Sequence, residues 1–175
     1  MSLLELPDGD VLVGTTVAPG TGGEQKASLA QMYLLDINSH AVTWQAPVLA
    51  DAASYDDLHS GPEGLVFGFA DSHRFFVFDS KARQLVYEQD VSARLGSTNA
   101  QQGPRIFVPG PAGEGFALFQ QGIVQVLDDG KDASPRFRLE WVAESPVPIG
   151  AGGDLLDGRI YFSSGSHLYS WEVTQ

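Results

Sequence analysis

The sequence predicts an all-β protein built from repeated four-stranded sheets, and three observations support this fold class. Apolar residues come in short runs rich in aromatic and β-branched types, as at 65–69 and 75–78. Turn-forming residues interrupt these runs, as in Pro7-Asp8-Gly9 and Pro62-Glu63-Gly64. The same grouping of runs and turns then recurs along the chain. Short β-prone runs bounded by Gly, Pro and Asp are typical of strands and hairpins.

The second group serves as the template for the repeat. It predicts four strands, at 54–60, 65–69, 75–79 and 84–88, joined by a turn at 61–64, a loop at 70–74 and a turn at 80–83. The other groups align with it in order. Their predicted strands are 3–6, 11–16, 32–36 and 42–44 in the first group, 105–108, 115–119, 123–128 and 137–141 in the third, and 150–156, 159–162 and 167–172 in the fourth. A fourth strand is missing from the last group.

The repeat length identifies the architecture. Asp36 and Asp79 are 43 residues apart, Pro62 and Pro111 are 49 apart, and the glycines at 113 and 158 are 45 apart. A four-stranded unit every 40–50 residues or so is the period of a β-propeller blade, and such sheets stack because one alone cannot bury both faces. The prediction is a partial propeller of about four antiparallel blades, the last lacking its outer strand. It forms one domain over 1–175, with blades near 1–49, 50–95, 96–145 and 146–175.

Two predicted hairpins carry a family resemblance. Asp36 is followed eight residues later by Trp44, and Asp79 is followed at the same distance by Tyr87. This spacing resembles the L-x-x-x-D-x-x-T-G-x-x-x-W hairpin of quinoprotein-like and YVTN- or NHL-type β-propellers. The resemblance implies that the aspartate caps the turn and that the aromatic ring packs between blades. It also implies a repeat protein. Because four incomplete blades do not close easily into a ring, we expect the chain to be part of a larger bacterial protein or to pair with a second copy.

The hairpins depart from that pattern at one place. Ser39-His40 and Ala82-Arg83 stand where Thr-Gly is usual. The chain also has no cysteine, so it lacks the vicinal Cys pair that accompanies the cofactor in quinoprotein dehydrogenases. We therefore expect no cofactor.

Composition excludes several classes of function. The chain has 22 acidic and 10 basic residues, which give a net charge of −12. Such a charge argues against binding to nucleic acid or to an anionic membrane. The absence of cysteine excludes disulfides and thiolate metal sites, and no apolar run is long enough to span a bilayer. We expect a periplasmic or secreted protein rather than a cytoplasmic one.

The blade alignment proposes a ligand site. Asp56 and Arg105 both lie six residues before the proline of their turn, so they occupy the same position in neighbouring blades. In propellers the first strand of each blade lines the central channel, and ligands sit at one mouth of it. We expect Asp56, Asp57, His59, Arg105 and His73 to face a polar or carbohydrate-like ligand, with Arg105 binding an anion and His59 as the only acid–base candidate. In the alternative interpretation, Asp56 and Arg105 form an inter-blade salt bridge and His59 is a hydrogen-bonded strand residue.

These residues favour a non-catalytic module that binds a ligand or a protein. The alternative is a propeller-type lyase or hydrolase acting on a polysaccharide or a small polar ligand. No metal site is expected, because the acidic stretch at 128–132 has Gly130 and Ala133 where a calcium loop needs an oxygen ligand and a glycine. The expected partner is a second copy pairing across the open blade edges, or the remainder of a larger propeller.

Overall fold

The computed structural model describes residues 1–17, 28–98 and 106–173. Regular structure in these ranges is almost entirely β. The strands are β1 (Ser2–Glu5), β2 (Val11–Gly14), β3 (Met32–Asp36), β4 (Ala41–Ala46), β5 (Tyr55–Ser60), β6 (Leu65–Ala70), β7 (Arg74–Asp79), β8 (Gln84–Asp90), β9 (Phe107–Pro109), β10 (Gly115–Phe119), β11 (Gly122–Asp128), β12 (Phe137–Glu144), β13 (Ala151–Leu156), β14 (Arg159–Ser164) and β15 (His167–Glu172). The helical elements described are the single turn α1 (Ser92–Leu95) and a 3₁₀ turn over Pro62–Gly64.

The strands form four antiparallel sheets in simple up-and-down order. Strands β1–β4 form sheet 1, β5–β8 form sheet 2, β9–β12 form sheet 3 and β13–β15 form sheet 4. Within each sheet, every strand pairs with the next one along the chain, as when Leu65 to Ala70 pair with Asp79 to Arg74. The predicted fold class is therefore confirmed: a β-propeller segment of about four blades whose last described sheet has three strands. The predicted blade boundaries and the single-domain organisation stay predictions.

The turn chemistry explains why the first two sheets are alike. Asp36 Oδ1 accepts hydrogen bonds from the amides of Asn38 (2.9 Å) and Ser39 (2.8 Å). Asp79 Oδ1 accepts the corresponding pair of bonds, from Lys81 (2.9 Å) and Ala82 (2.8 Å). Because a carboxylate that accepts two amides two and three residues ahead fixes a tight turn, these aspartates set the hairpin register. The turn-capping role implied by the resemblance is present in both hairpins.

By its internal contacts the chain divides into two compact units, Met1–Asp90 and Val91–Gln175. In the first unit, sheets 1 and 2 enclose a core that contains Leu12, Met32, Tyr55 and Phe76. Trp44 of β4 lies against Phe78 of β7, with ring centroids 5.5 Å apart. The ring thus packs between two sheets, as the resemblance implies.

The second unit has a core of its own. Sheets 3 and 4 enclose Val108, Phe116, Ile123 and Ile160, all of which are buried. Trp171 of β15 joins this core from the outermost strand of sheet 4, with its ring 6.0 Å from that of Phe116. No helix in the described part of the chain is long and apolar enough to cross a membrane.

Candidate functional site

The candidate site lies at one end of sheet 2, where the segment between β4 and β5 meets the turn between β6 and β7. Tyr55, which lies in the core of the first unit, holds the segment between β4 and β5. Its hydroxyl oxygen accepts hydrogen bonds from the amides of Val48 and Leu49, both at 2.9 Å. Tyr55 is fully buried, and this burial raises the pKa of its phenol. The neutral phenol therefore holds the segment that leads into β5 in a fixed position.

Asp56 joins the two loops directly. A β-bulge between Tyr55 and Asp57 interrupts the pairing of β5 with β6 at this residue. Its carboxylate accepts a hydrogen bond from Ser54 Oγ (2.5 Å) through one oxygen and from the Ser72 amide (2.6 Å) through the other. Burial raises the pKa of Asp56, and the nearby charge of Asp71 raises it further. Asp56 is thus engaged in positioning the loops.

Asp71 makes a second connection between the same loops. One carboxylate oxygen accepts hydrogen bonds from the amides of Ala53 (2.9 Å) and Ser54 (3.0 Å). Asp71 and Ser72 have φ values of 51° and 66°, and the His73 amide donates to the Ala70 carbonyl. Positive φ at both central residues of this four-residue turn gives the backbone a twist that suits a hairpin, and aspartate tolerates that conformation well.

Arg74 completes the network from the start of β7. Its guanidinium donates to Asp71 Oδ2 (3.3 Å), to the Ala50 carbonyl (2.9 Å) and to Glu88 Oε1 on β8. Burial alone would lower the pKa of Arg74, but the bonds to Glu88 and Asp71 outweigh it and the pKa is raised. We call Asp56, Asp71, Arg74 and Glu88, with the backbone they hold, the loop clamp.

His73, one of the predicted site residues, lies directly between Ser72 and Arg74 at the loop clamp and is partly exposed. Its Nε2 is 3.8 Å from Asp90 Oδ2 at the end of β8. The His73 side chain is 34% exposed and that of Asp90 is 62% exposed. The His73 imidazole and the Asp90 carboxylate are therefore both accessible to solvent beside the loop clamp.

Asp57 and His59 lie elsewhere on sheet 2. Their Cα partners on β6 are Phe69 and Phe67, so they share the sheet face of those rings, opposite the core of the first unit. Burial lowers the pKa of His59, which favours its neutral form. At about 3.3 Å per residue, His59 sits roughly 10 Å along the strand from Asp56. The structure thus brings Asp56 and His73 to one end of the sheet and places His59 on a face.

Arg105, the predicted anion-binding residue, lies outside the described residues, and so does the proposed ion pair between it and Asp56. Sequence reasoning missed Arg74 and Glu88. The available signal was a positive charge at the end of the predicted loop 70–74 and a negative charge at the end of the predicted strand 84–88, which belong to the same predicted hairpin. Cross-strand pairs of that kind are close in an antiparallel sheet.

Carboxylates elsewhere are held by cations of the chain itself. Asp128 accepts hydrogen bonds from Arg136 Nε (2.8 Å) and from a terminal nitrogen of the same guanidinium (2.6 Å). This bond lowers the pKa of Asp128. The 128–132 stretch is an acidic hairpin loop braced by arginine, and within the described ranges no group of three or more His, Asp or Glu side chains is arranged to hold a metal ion.

Comparison with known proteins supports the fold and leaves the family open. No family model and no curated protein matches the sequence. Among solved structures, a chain of the mitotic checkpoint complex matches 99% of this chain with a TM-score of 0.64 and 11% identity. The Cps50 (Swd1) β-propeller domain of Myceliophteria thermophila matches 99% with a TM-score of 0.60 and 13% identity. Virginiamycin B lyase from Staphylococcus aureus matches 98% with a TM-score of 0.54 and 15% identity.

Each of these three solved chains is longer than this one. The chain spans 49% of the checkpoint-complex chain and 54% of each of the other two. Nearly all of this chain therefore corresponds to about half of each of these chains, one of which is a β-propeller domain. At this level of identity the similarity establishes the β-propeller fold and nothing finer.

Proposed function

We propose that this chain is a non-catalytic binding module of β-propeller type that recognises a polar, carbohydrate-like ligand at the loop end of sheet 2. The loop clamp is the observation that carries the proposal. Two loops are joined by Asp56 and Asp71 and braced by Arg74, so their backbone is preorganised before a ligand arrives. Loops fixed by a rigid sheet are the usual location of binding sites, and preorganisation reduces the entropy lost on binding.

The different roles of the side chains in the site favour binding over catalysis. Asp56 and Asp71 use their carboxylate oxygens on Ser54, Ser72 and Ala53, which makes them positioning residues. His73 and Asp90 are then the ligand contacts, since an imidazole and an exposed carboxylate suit the hydroxyl groups of a sugar. His59 stands apart from this group on a sheet face, which weakens its role as an acid–base residue.

The module acts within a larger β-propeller assembly in this proposal. Support comes from the half-length matches to propeller chains, one of them in a multi-protein complex. Two partners are consistent with these half-length matches. One is a second copy that pairs across the open blade edges, and the other is the remainder of the same propeller. A bacterial origin and a periplasmic or secreted location belong to the same proposal.

A thermal-shift assay with neutral oligosaccharides and sugar acids tests the proposal. A ligand at 100 times its Kd stabilises a protein by about 2.7 kcal/mol, which corresponds to roughly 5–10 °C for a chain of this size. We expect one sugar class to raise the Tm of the wild type and of His40→Asn, but not that of His73→Asn. His40 is the matched control because it lies in the turn at the opposite end of the strands of sheet 1. No shift with any sugar, or equal shifts in all three proteins, contradicts the proposal.

The same assay addresses the alternative lyase or hydrolase. An enzyme using His59 predicts a sugar-acid shift, strengthened by Ca²⁺ or Mn²⁺, that disappears in His59→Ala and persists in His73→Asn. The binding module predicts the reverse pattern.

A further inference from the structure

A polar cleft of about 280 Å³ opens at one end of sheet 3, within the second unit. Gln121 lines it from the turn between β10 and β11, and Trp141 and Glu144 line it from β12, the fourth strand of that sheet. Ser145, which follows β12 directly, completes the lining. Since a cavity of about 150 Å³ holds a benzene molecule, this cleft has room for a small planar group.

Backbone hydrogen bonds hold two walls of the cleft together. The Ser145 amide donates to the Gln121 carbonyl (2.9 Å), and the Ile149 amide donates to the Gln120 carbonyl (2.9 Å). Ser145 Oγ in turn donates to the Val147 carbonyl (2.6 Å). The turn after β10 and the segment after β12 are therefore joined before any ligand binds, which reduces the entropy lost on binding.

The Trp141 ring is held in place by its neighbours. Its centroid lies 6.0 Å from that of Phe119, and the two ring planes are 70° apart. Gly122 lies directly against the indole, because a side-chain carbon at this glycine would be 3.0 Å from Trp141 Cζ3. Trp141 is only half-buried. The indole is therefore a fixed wall of the cleft with part of its surface open to solvent.

The Glu144 carboxylate is exposed and has no hydrogen bond or ion pair in the described part of the chain. The same holds for the side-chain amide of Gln121. Several other carboxylates of the second unit are paired with arginine, namely Asp128 with Arg136, Asp129 and Glu140 with Arg138, and Glu172 with Arg159. A carboxylate and an amide oxygen left without donors at one cleft favour a positively charged donor.

The start of β12 shows which group this chain itself places between an aromatic ring and a carboxylate. The Arg136 guanidinium carbon lies 4.7 Å from the centroid of the Phe137 ring. The same guanidinium donates two hydrogen bonds to Asp128, at 2.8 Å and 2.6 Å. A guanidinium suits this setting because it is planar, stacks on aromatic faces and forms paired bonds with carboxylates. Trp141 and Glu144 offer the same two kinds of partner at the other end of the strand.

We propose that this cleft binds a guanidinium group, supplied by an arginine side chain of a partner protein or by a free small molecule. The guanidinium donates to the Glu144 carboxylate and to the side-chain oxygen of Gln121, and its plane packs against the Trp141 indole. The net charge of −12 favours the approach of a cation. None of these residues belongs to the loop clamp, so this inference does not rest on the sugar-binding proposal.

NMR of the indole N–H signals tests the inference on the whole chain. The chain has three tryptophans, so Trp44 and Trp171 are internal references for Trp141. The probe is a blocked glycine–arginine–glycine peptide, and its control contains citrulline, the neutral isostere of arginine. We expect the arginine peptide to shift the Trp141 signal saturably, and the citrulline peptide to bind at least tenfold more weakly. No shift of Trp141, or equal affinity for the two peptides, overturns the inference.

Two substitutions on β12 locate the binding. Glu144→Gln keeps the shape of the side chain and removes its charge, so we expect the arginine peptide to bind at least tenfold more weakly. Glu140→Gln is the matched control because the Glu140 carboxylate is already bound by Arg138, and we expect it to bind like wild type. Wild-type affinity in Glu144→Gln, or the same loss in both variants, overturns the inference. Unfolding curves verify that both variants are folded.

Titration with ethylguanidinium identifies the source of the group. This cation carries the guanidinium without any peptide backbone. An arginine peptide that binds more tightly than ethylguanidinium supports a partner protein as the source. Ethylguanidinium that binds as tightly as the peptide, or more tightly, supports a free small molecule at the same cleft.

Discussion

At the scale of single residues, two aspartates show how the same side chain can have its pKa shifted in opposite directions. Asp56 loses hydration at the end of sheet 2, and the bonds from Ser54 and Ser72 only partly compensate, so its pKa is raised. Asp128 sits at an exposed hairpin against Arg136, so its pKa is lowered. Desolvation dominates in the first case and a cation dominates in the second.

These two shifts predict opposite dependences of stability on pH. A raised pKa means that the folded state binds a proton more tightly than the unfolded state, so the contribution of Asp56 falls as pH rises from 3.8 through its folded value. The lowered pKa of Asp128 gives a contribution that is present above 3.8 and lost as pH falls.

Urea unfolding of Asp56→Asn and Asp128→Asn between pH 3 and pH 7 measures both effects. The free energy of unfolding of wild type relative to Asp56→Asn is expected to decrease with rising pH, and that relative to Asp128→Asn to increase. The same sign for both variants contradicts the assignment.

Turn residues give a second prediction at this scale. His40 and Arg83 have φ values of 54° and 55°, in the left-handed region that favours glycine. They occupy the positions where glycine is usual in the resembling hairpins. Arg83→Gly relieves the left-handed conformation, which costs a non-glycine residue about 1–2 kcal/mol, but adds backbone entropy to the unfolded state. We expect a net gain of up to about 1 kcal/mol.

Chemical denaturation of Arg83→Gly and Lys81→Gly measures this gain. Lys81 is the matched control because it lies in the same turn without a positive φ. We expect Lys81→Gly to be neutral or destabilising. A loss of stability in Arg83→Gly disproves the strain interpretation.

At the scale of elements, the loop clamp couples the segment before β5 to the turn between β6 and β7. The amides of Ala53 and Ser54 both donate to Asp71, so the segment before β5 depends on a residue of the turn after β6. Asp71→Ala leaves these two donors without their acceptor, a loss worth about 1–2 kcal/mol of local stability. Asp71→Asn keeps an oxygen acceptor and tolerates positive φ.

Amide hydrogen exchange tests this coupling. We expect exchange at Ala53 and Ser54 to accelerate about 5- to 30-fold in Asp71→Ala, while Asp71→Asn stays close to wild type. Strands β1 and β2 serve as the internal reference. Unchanged exchange in Asp71→Ala means that the two loops are held independently.

Elements of this fold follow closely from the sequence for a physical reason. Strand runs are bounded by Gly, Pro and Asp, and residues such as Asp36 and Asp79 fix the turn through their own side chains, so the signal is local. The position of Asp56 is not local in this sense. It depends on a bulge at Tyr55 and Asp57 and on a bond to Ser72 sixteen residues away, and neither appears in a pattern of apolar residues.

The same reasoning explains the candidate site. Sequence reasoning grouped Asp56, Asp57 and His59 because they lie on the first predicted strand of one blade, the strand that lines the channel in propellers. Side chains alternate along a strand, and a bulge lies between Tyr55 and Asp57. Asp57 and His59 therefore lie on one face of sheet 2, whereas Asp56 lies at its end. Arg74 also donates to the Ala50 carbonyl, which lies 24 residues earlier in the chain, and no spacing rule encodes that contact.

At the scale of the whole molecule, four sheets with the same strand order correspond to half of a β-propeller chain. The charge of −12 sets the character of its surfaces. It disfavours polyanionic partners and is compatible with a neutral sugar at the loop clamp.

The central claim is that ligands bind at the loop end of sheet 2, and NMR of the four histidines tests it most directly. Histidines 40, 59, 73 and 167 lie in four different settings, so their ring signals report where a sugar binds. We predict that a sugar that raises the Tm shifts the ring signals of His73 and leaves those of His40 and His167 unchanged. A shift confined to His59, or one spread equally over all four rings, would contradict the claim.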